Sequence, residues 1–221
     1  REGRGLLRIA MDHAPLHAQR VLVASGARLL ALGVPGEERL HGKGVSQCAD
    51  CDGQFFRGQD VVVVGGGDSA VQEALILART SRSVAVVVRS RLKARRSYRD
   101  EAAKTTNLRF VWDSSVEEVL GTSAVEAVRI LNRRSGERSD FPCSGVFPFI
   151  GVKPNSEYLP EEIERGAEGH VRTDDSFQTS MRGVYAAGAI RAGFCGDAIH
   201  ASGEGAAAAV KIARELPQSY L

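Results

Sequence analysis

The chain has 221 residues, of which 43% are hydrophobic and 25% are charged, and its formal net charge is +2 at pH 7. This length allows one large domain or two small ones, and the hydrophobic fraction argues against intrinsic disorder. The near-neutral charge gives no case for a nucleic-acid partner, and no apolar run approaches the roughly 20 residues that span a bilayer.

Short strands are expected at the start of the chain. Residues 6–11 alternate apolar side chains with polar or small ones, Asp12–Pro15 has the composition of a turn, and Val21–Ala24 has that of a buried strand. The glycine and proline residues that follow predict a crossing between domains at residues 26–32.

The middle of the chain has the pattern of an α/β domain. The β-branched run Val61–Val64 predicts a buried strand, Gly65–Gly67 a tight turn, and Asp68–Thr80 a helix with one apolar face. A second buried strand is expected at Ser83–Val88, and such a βαβ unit requires a parallel sheet with a right-handed crossover. Further strands are predicted at Leu108–Trp112, Val125–Asn132, Arg138–Pro142 and Gly145–Ile150.

The C-terminal part returns to a different pattern. A short strand ending in glycine is expected at Gly183–Gly188, and a helix of small residues follows from about Ala198 to Leu216. A second crossing between domains is expected at Pro154-Asn155. The predicted domains are a discontinuous outer domain, residues 1–31 and 152–221, and an inserted domain, residues 32–151.

The glycine turn after the first buried strand carries the motif Gly65-x-Gly67-x-x-Ala70. In a strand–turn–helix context this motif binds dinucleotides, because its glycines let the backbone approach a pyrophosphate that faces the helix N-terminus. Ala70 allows the helix to pack closely on the strand. The alternative is a glycine turn that binds no ligand.

The end of the second strand bears on which dinucleotide would bind. NAD sites usually place an acidic residue there to hold the ribose 2′-hydroxyl, but this strand runs into Arg89-Ser90-Arg91. Guanidinium groups bind phosphate in a fork geometry, so we expect NADP, with Arg89 and Arg95 as candidate ligands of the 2′-phosphate. The alternative is a solvated basic loop.

A cysteine pair, Cys48 and Cys51, has the spacing of a redox-active dithiol. Zinc is a weaker interpretation, because the other two cysteines are isolated and the histidines are unpaired; we expect no metal site. Chance spacing of two cysteines is the other alternative, and the pair alone leaves it open, although a dithiol beside a dinucleotide fold is a more specific combination. Asp52 follows the pair and would either exchange a proton with a leaving thiolate or only form a turn. With so few cysteines and no disulfide framework, we expect a cytoplasmic protein.

Four motifs in this order resemble the low-molecular-weight thioredoxin reductase family, from about Ala24 to the C-terminus. They are Val45-Ser46-x-Cys48-Ala49-x-Cys51-Asp52-Gly53, Val63-Val64-Gly65-Gly66-Gly67-Asp68-Ser69-Ala70, Phe149-Ile150-Gly151-x-x-Pro154-Asn155 and Gly183-Val184-Tyr185-Ala186-Ala187-Gly188.

The resemblance implies a homodimeric flavoenzyme with two Rossmann-like domains, one for FAD and one for NADPH. NADPH would reduce FAD, and the reduced FAD would reduce the Cys48–Cys51 disulfide. The resulting dithiol would reduce a disulfide of a thioredoxin-like or other protein. Cys48 would attack that substrate, Cys51 would face the flavin, and Asp52 would be the acid. The resemblance implies cofactor contacts at Gly65, Gly67, Asp68, Ser69, Ala70, Arg89, Arg95, Ile150, Gly151, Gly188, Ala189 and Ala198.

The chain departs from the family pattern on the flavin side. Ala189 stands where the family has Asp, and Gly196-Asp197 stands where it has Arg-Gln. The sequence also starts after the position of the opening βαβ unit that would hold most of the FAD, so we expect an incomplete FAD domain. Two alternatives stay open: a flavin-poor NADP(H)-binding or redox-sensing relative without turnover, and a variant oxidase or a reductase that uses another electron donor.

Overall fold

A computed structural model describes residues 6–194 and 196–216 of the protein. The strands are β1 (Leu7–Ile9), β2 (Leu16–Ala18), β3 (Val21–Val23), β4 (Ala27–Leu29), β5 (Asp60–Val64), β6 (Ser83–Val87), β7 (Leu108–Val111), β8 (Ser114–Leu120), β9 (Ala127–Asn132), β10 (Arg138–Pro142), β11 (Gly145–Pro148), β12 (Val152–Pro154) and β13 (Val184–Ala186). The α-helices are α1 (Ala49–Asp52), α2 (Asp68–Ala78), α3 (Arg96–Ala102) and α4 (Ala198–Glu215), and 3₁₀ turns cover Gly53–Phe56 and Gly188–Ile190.

The chain divides into two compact units. One consists of Arg1–Arg28 and Val152–Leu221, and the other of Leu29–Gly151. No helix in residues 6–194 and 196–216 combines the length and the apolar character that crossing a membrane requires.

The unit Leu29–Gly151 is built on a four-stranded sheet in the order β11-β5-β6-β7, and every pair in it is parallel. Val61 and Val63 pack with α2 and α3, whereas Val62 and Val64 pack with the three-stranded meander β8-β9-β10. Alternate residues of a strand face opposite sides, so a strand buried on both sides needs an unbroken apolar run. The predicted parallel α/β sheet is therefore confirmed.

Strand β8 and helix α3 were not among the sequence expectations. Strand β8 contains two glutamates, a residue type depleted in strands, and both are paired with arginines of the other two strands of the meander, β9 and β10. Glu118 lies 2.6 Å from Arg129, and Glu117 lies 2.7 Å from Arg138. These pairs form between segments that are distant in sequence, so the local pattern of β8 alone does not indicate a strand.

The other unit has its own small core. Strands β3 and β13 pair in parallel, with Val21 opposite Val184 and Val23 opposite Ala186. Beside them lie a hairpin, β1 and β2, and the long helix α4, which follows the 3₁₀ turn Gly188–Ile190. The buried apolar residues of this core are Val23, Leu159, Ile163, Val171, Val184, Ala186 and Ile190.

Candidate dithiol and dinucleotide site

The turn after β5 admits only small residues at two positions. Gly65 has φ of +144°, and a Cβ atom there would lie 2.2 Å from the carbonyl oxygen of Phe149. The same atom would lie 2.9 Å from the Cβ of Ala70, which is fully buried in α2. The first glycine and the alanine of the motif are therefore required by the close packing of strand, turn and helix.

The third glycine of the turn leaves the start of α2 open. Gly67 is the N-cap residue, has no side chain to cap the helix, and would have nothing within 4 Å of an added Cβ atom. The first backbone N–H groups of a helix have no partner within it, and they attract anions together with the helix dipole. Asp68 and Ser69 are the first residues of α2, at this open end of the helix.

The basic segment after β6 is fastened to this turn. Lys93 and Ala94 donate their backbone N–H groups to the carbonyl oxygen of Gly66, at 2.7 and 3.1 Å. Arg95 donates its backbone N–H to Asp68 at 2.7 Å, and its Nε donates to the same carboxylate at 2.8 Å. The glycine turn and the basic segment are thus one connected structure.

The two candidate arginines differ in their surroundings. Arg95 lies over the ring of Tyr98 at 5.2 Å, and its ion pair with Asp68 lowers the pKa of that carboxyl. Arg89 follows β6, is exposed, and makes no ion pair within the part of the chain that the structure describes. Of these two candidates, Arg89 is therefore the one whose charge is available to a ligand, while the charge of Arg95 is already paired with Asp68.

The candidate dinucleotide residues of this unit lie at one edge of the sheet. The Gly65 turn, Arg89 and the pair Ile150-Gly151 follow the carboxyl ends of β5, β6 and β11 respectively, and these strands are parallel neighbours. Ile150 is 41% exposed, and Gly151 has φ of +120°. Ligands of open parallel sheets bind at this edge.

The cysteine pair forms a disulfide in the structure, with an S–S distance of 2.07 Å and a Cα–Cα distance of 5.3 Å. Cys48 is the N-cap of the short helix α1, and its sulfur accepts a hydrogen bond from the backbone N–H of Cys51 at 3.1 Å. Cys51 is exposed, whereas Cys48 is half-buried. The disulfide expected from the sequence spacing is thus present.

A hydrogen-bond chain holds Asp52 beside the pair. The buried hydroxyl of Ser46 donates to the Asp52 carboxylate at 2.6 Å and accepts the backbone N–H of Cys48 at 3.1 Å. Ser46 therefore fixes the position of the carboxyl group that follows the second cysteine. Ser46 belongs to the motif that signals the family, but sequence reasoning gave it no role.

Sequence reasoning also missed a second carboxylate. Glu73, on α2, accepts the backbone N–H of Ala49, the residue after Cys48, at 2.9 Å. The pKa of Glu73 is raised above its usual value, mainly by burial. The hydrogen bond from Ala49 partly opposes this rise, and the negative charge of Asp50 adds to it. No local spacing connects Glu73 to the cysteines, because the contact joins residues 24 positions apart.

The candidate flavin residues lie in the other unit. Gly188 donates its N–H to the buried carboxylate of Glu204 at 2.8 Å, and Glu204 is also paired with Arg191, which lowers the pKa of Glu204. Ala198 begins α4, whose first N–H groups are capped by the Asp197 carboxylate. The list of candidates is completed by Ala189, which is half-buried in the 3₁₀ turn after Gly188.

Comparison with known proteins identifies the family. Residues 4–211 match the family described as pyridine nucleotide-disulphide oxidoreductase. The thioredoxin reductase of Peptoclostridium litorale is 39% identical over 210 residues, which are 92% of this chain and 67% of that protein. The thioredoxin reductase of Streptomyces coelicolor is 40% identical, over 87% of this chain and 61% of that protein. The chain thus spans about two thirds of the length of these curated relatives.

Solved structures give the same result. The crystal structure of Lactococcus lactis thioredoxin reductase aligns with a TM-score of 0.86 and 33% identity, over 96% of this chain and 71% of that one. The thioredoxin reductase of T. acidophilum aligns with a TM-score of 0.84 and 29% identity, over 97% of this chain. The expected pair of Rossmann-like domains is confirmed by this likeness. The chain belongs to the pyridine nucleotide-disulphide oxidoreductase family and, within it, to the thioredoxin reductases.

Proposed function

We propose that the protein passes electrons from NADPH through FAD to the Cys48–Cys51 disulfide, and from the resulting dithiol to a disulfide of thioredoxin or a similar protein. One observation carries this proposal: a disulfide and a dinucleotide-binding turn lie in the same compact unit and share α2. This helix begins at the glycine turn, and its Glu73 binds the backbone between the two cysteines.

The dinucleotide turn suits NADPH. Gly67 leaves room for a pyrophosphate to approach the uncapped N–H groups at the start of α2, including those of Asp68 and Ser69. Arg89 is the residue we assign to the 2′-phosphate, because it is exposed and lies at the same edge of the sheet. In this assignment Arg95 holds the basic segment in place through Asp68.

The other unit would contribute to the flavin site. Gly188 has φ of +78°, and the first turn of α4 carries Ala198 and the 82% exposed side chain of Ile199. Small and apolar side chains there allow a flat ring to lie close to the backbone. Ala189 has no carboxylate, so it can offer only its backbone to the flavin.

The chemistry of the cysteines follows from their arrangement. When bound, the nicotinamide supplies a hydride and the flavin relays its two electrons. Reduction of the Cys48–Cys51 disulfide takes up two electrons and two protons and gives two thiols. In the second half, the Cys48 thiolate attacks one sulfur of the partner disulfide, which breaks the partner's S–S bond, expels its first thiolate and leaves a mixed disulfide. The Cys51 thiolate then attacks the Cys48 sulfur, which re-forms the Cys48–Cys51 bond and expels the second thiolate of the partner, now fully reduced.

Asp52 is the proton carrier in this proposal. Its carboxylate is held next to the cysteines by the Ser46 hydroxyl, in the position of a group that exchanges protons with a leaving thiolate. Assignment of the attack on the partner to Cys48, and of the flavin side to Cys51, follows the family pattern.

A test uses Cys48→Ser in the purified protein. We expect the variant to keep NADPH-driven flavin reduction and to lose reduction of a protein disulfide, measured with insulin and thioredoxin. A variant that still reduces the protein disulfide contradicts the assigned role of Cys48. We further propose a cytoplasmic homodimer, to be checked by light scattering and cell fractionation.

A second candidate function, NADP(H) binding without turnover, is favoured by two departures from the family pattern. The Asp197 carboxylate caps the helix where the family pattern has Arg-Gln, and Ala189 lacks the usual carboxylate. A thioredoxin reductase relative with these two changes would bind NADP(H) and respond to redox state without a flavin. Stoichiometric flavin in the purified protein would exclude it.

A further inference from the structure

The backbone between the two cysteines is held from outside by a charged group. Glu73 reaches from α2 to accept the N–H of Ala49 at 2.9 Å, and Ala49 itself is buried. The turn also packs on α2 further along, where a Cβ atom at Gly53 would lie 3.2 Å from Leu77. The position of the cysteine turn therefore depends on α2, the helix that begins at the dinucleotide motif.

Two further carboxylates, those of Asp50 and Asp52, belong to the same turn as the cysteines. Asp50 lies within the turn, and its negative charge acts on Glu73. Asp52 follows Cys51 and is held by Ser46. The carboxylate of Glu73 is half-buried, so its charge is screened by water less than that of an exposed group.

A negative charge beside the cysteines affects the two redox states differently. The disulfide is uncharged, whereas the reduced pair is partly a thiolate, and a like charge nearby disfavours that thiolate. The Ala49 N–H is moreover engaged by Glu73 and is not free to stabilise a thiolate on Cys48. Both effects favour the disulfide over the dithiol.

We propose that Glu73 is a positioning residue that fixes the Cys48–Cys51 turn on α2 and, through its negative charge, makes the reduced pair a stronger electron donor. This inference rests on the proposed function, in which the reduced pair gives its electrons to a protein disulfide. A dithiol that is less stable relative to its disulfide transfers electrons more completely.

The test is a redox titration that needs neither flavin nor nicotinamide. The protein is equilibrated with mixtures of reduced and oxidised dithiothreitol at pH 8, and the dithiol fraction is trapped with a maleimide and measured by mass. In this exchange, dithiothreitol gives two electrons and two protons to the protein disulfide and becomes a cyclic disulfide. A failed reductase assay would therefore leave this measurement intact, and the two proposals can fail separately.

Glu73→Gln removes the charge and keeps an oxygen that can accept the Ala49 N–H. We expect the equilibrium constant for reduction to rise about threefold to tenfold, which for a two-electron couple is about 15 to 30 mV. Glu73→Asp keeps the charge and should stay within about twofold of the parent protein. Glu137→Gln is the matched control, because it removes one carboxylate from the exposed turn between β9 and β10.

Three results overturn the proposal. The first is an equilibrium constant for reduction that is unchanged in folded Glu73→Gln. The second is a rise of this constant in Glu137→Gln equal to that in Glu73→Gln, and the third is an equally large rise in Glu73→Asp. If circular dichroism shows that Glu73→Gln is unfolded, Asp50→Asn decides instead, because Asp50 is exposed and adds its charge to the same turn. The equilibrium constant for reduction of Asp50→Asn should then be about twofold or more above that of the parent protein, and the absence of a rise would overturn the role of charge.

Discussion

Two glycines of the dinucleotide turn should respond oppositely to the same change, alanine substitution. At Gly65, a Cβ atom would lie 2.2 Å from the carbonyl oxygen of Phe149 and 3.0 Å from its carbonyl carbon, and the backbone has φ of +144°. At Gly67, φ is −89° and an added Cβ atom would meet nothing within 4 Å. The first site resists a side chain for structural reasons, whereas the second leaves space that we assign to a phosphate.

The expected loss of stability in Gly65→Ala has two causes, an unfavourable backbone conformation and a steric clash. An alanine held at the φ of Gly65 costs about 1 to 3 kcal/mol, and displacing the end of β11 to relieve the clash costs about 1 to 3 kcal/mol more. Gly65→Ala should therefore lower the free energy of unfolding by about 2 to 6 kcal/mol, a large part of the stability of an ordinary domain. Gly67→Ala should change it by less than about 1 kcal/mol.

The assay combines urea unfolding with nucleotide binding. Trp112, the single tryptophan of the chain, lies in the same unit, so its fluorescence follows the unfolding of that unit. Gly67→Ala should keep the parent unfolding curve and bind NADPH at least about tenfold more weakly, a loss of about 1.4 kcal/mol. Parent-like stability of Gly65→Ala refutes the packing argument, and parent-like NADPH affinity of Gly67→Ala refutes the placement of the phosphates.

Three further predictions concern charges and a buried thiol. The ion pair with Arg82 lowers the pKa of Asp60 to about 2, so its stabilisation is present above the unfolded pKa of about 3.9 and is lost as the pH falls through about 2; Arg82→Ala should lower the urea midpoint at pH 7 and have a much smaller effect as the pH falls through about 2. Burial raises the pKa of Cys143 to about 12, so iodoacetamide at pH 8 should modify this cysteine only after unfolding, as peptide masses will show. Arg89→Ala should weaken NADPH binding about tenfold and leave NADH binding within about twofold by fluorescence titration, and an equal loss for both would contradict the 2′-phosphate assignment.

The parallel sheet and its dinucleotide turn could be predicted from the sequence because their signals are local. A run of four valines is typical of a strand buried on both sides, and the spacing of Gly65, Gly67 and Ala70 follows from backbone geometry at one turn. The disulfide was likewise expected from a spacing of three residues. In each case the residues that form the feature are also neighbours in the sequence.

Features that depend on contacts between distant segments could not be predicted. Glu73 reaches the cysteine turn only because α1 packs on α2, and no pattern near Glu73 marks this contact. The ion pair of Asp68 with Arg95 similarly changes how Arg95 is understood: from the sequence both arginines were equal candidates for a phosphate, but only Arg89 is left unpaired. A run of basic residues in a sequence does not show which of them form ion pairs with acidic residues elsewhere in the fold.

The electron path from NADPH to the disulfide is tested most directly by a visible absorption spectrum of the purified full-length protein under anaerobic conditions, before and after NADPH, followed by a count of thiols. We expect a flavin spectrum that bleaches on addition of NADPH, together with two new thiols per chain at Cys48 and Cys51. A bleached flavin without new thiols would contradict the electron path to the disulfide. A protein without any flavin would contradict the flavoenzyme itself and favour the nucleotide-binding relative.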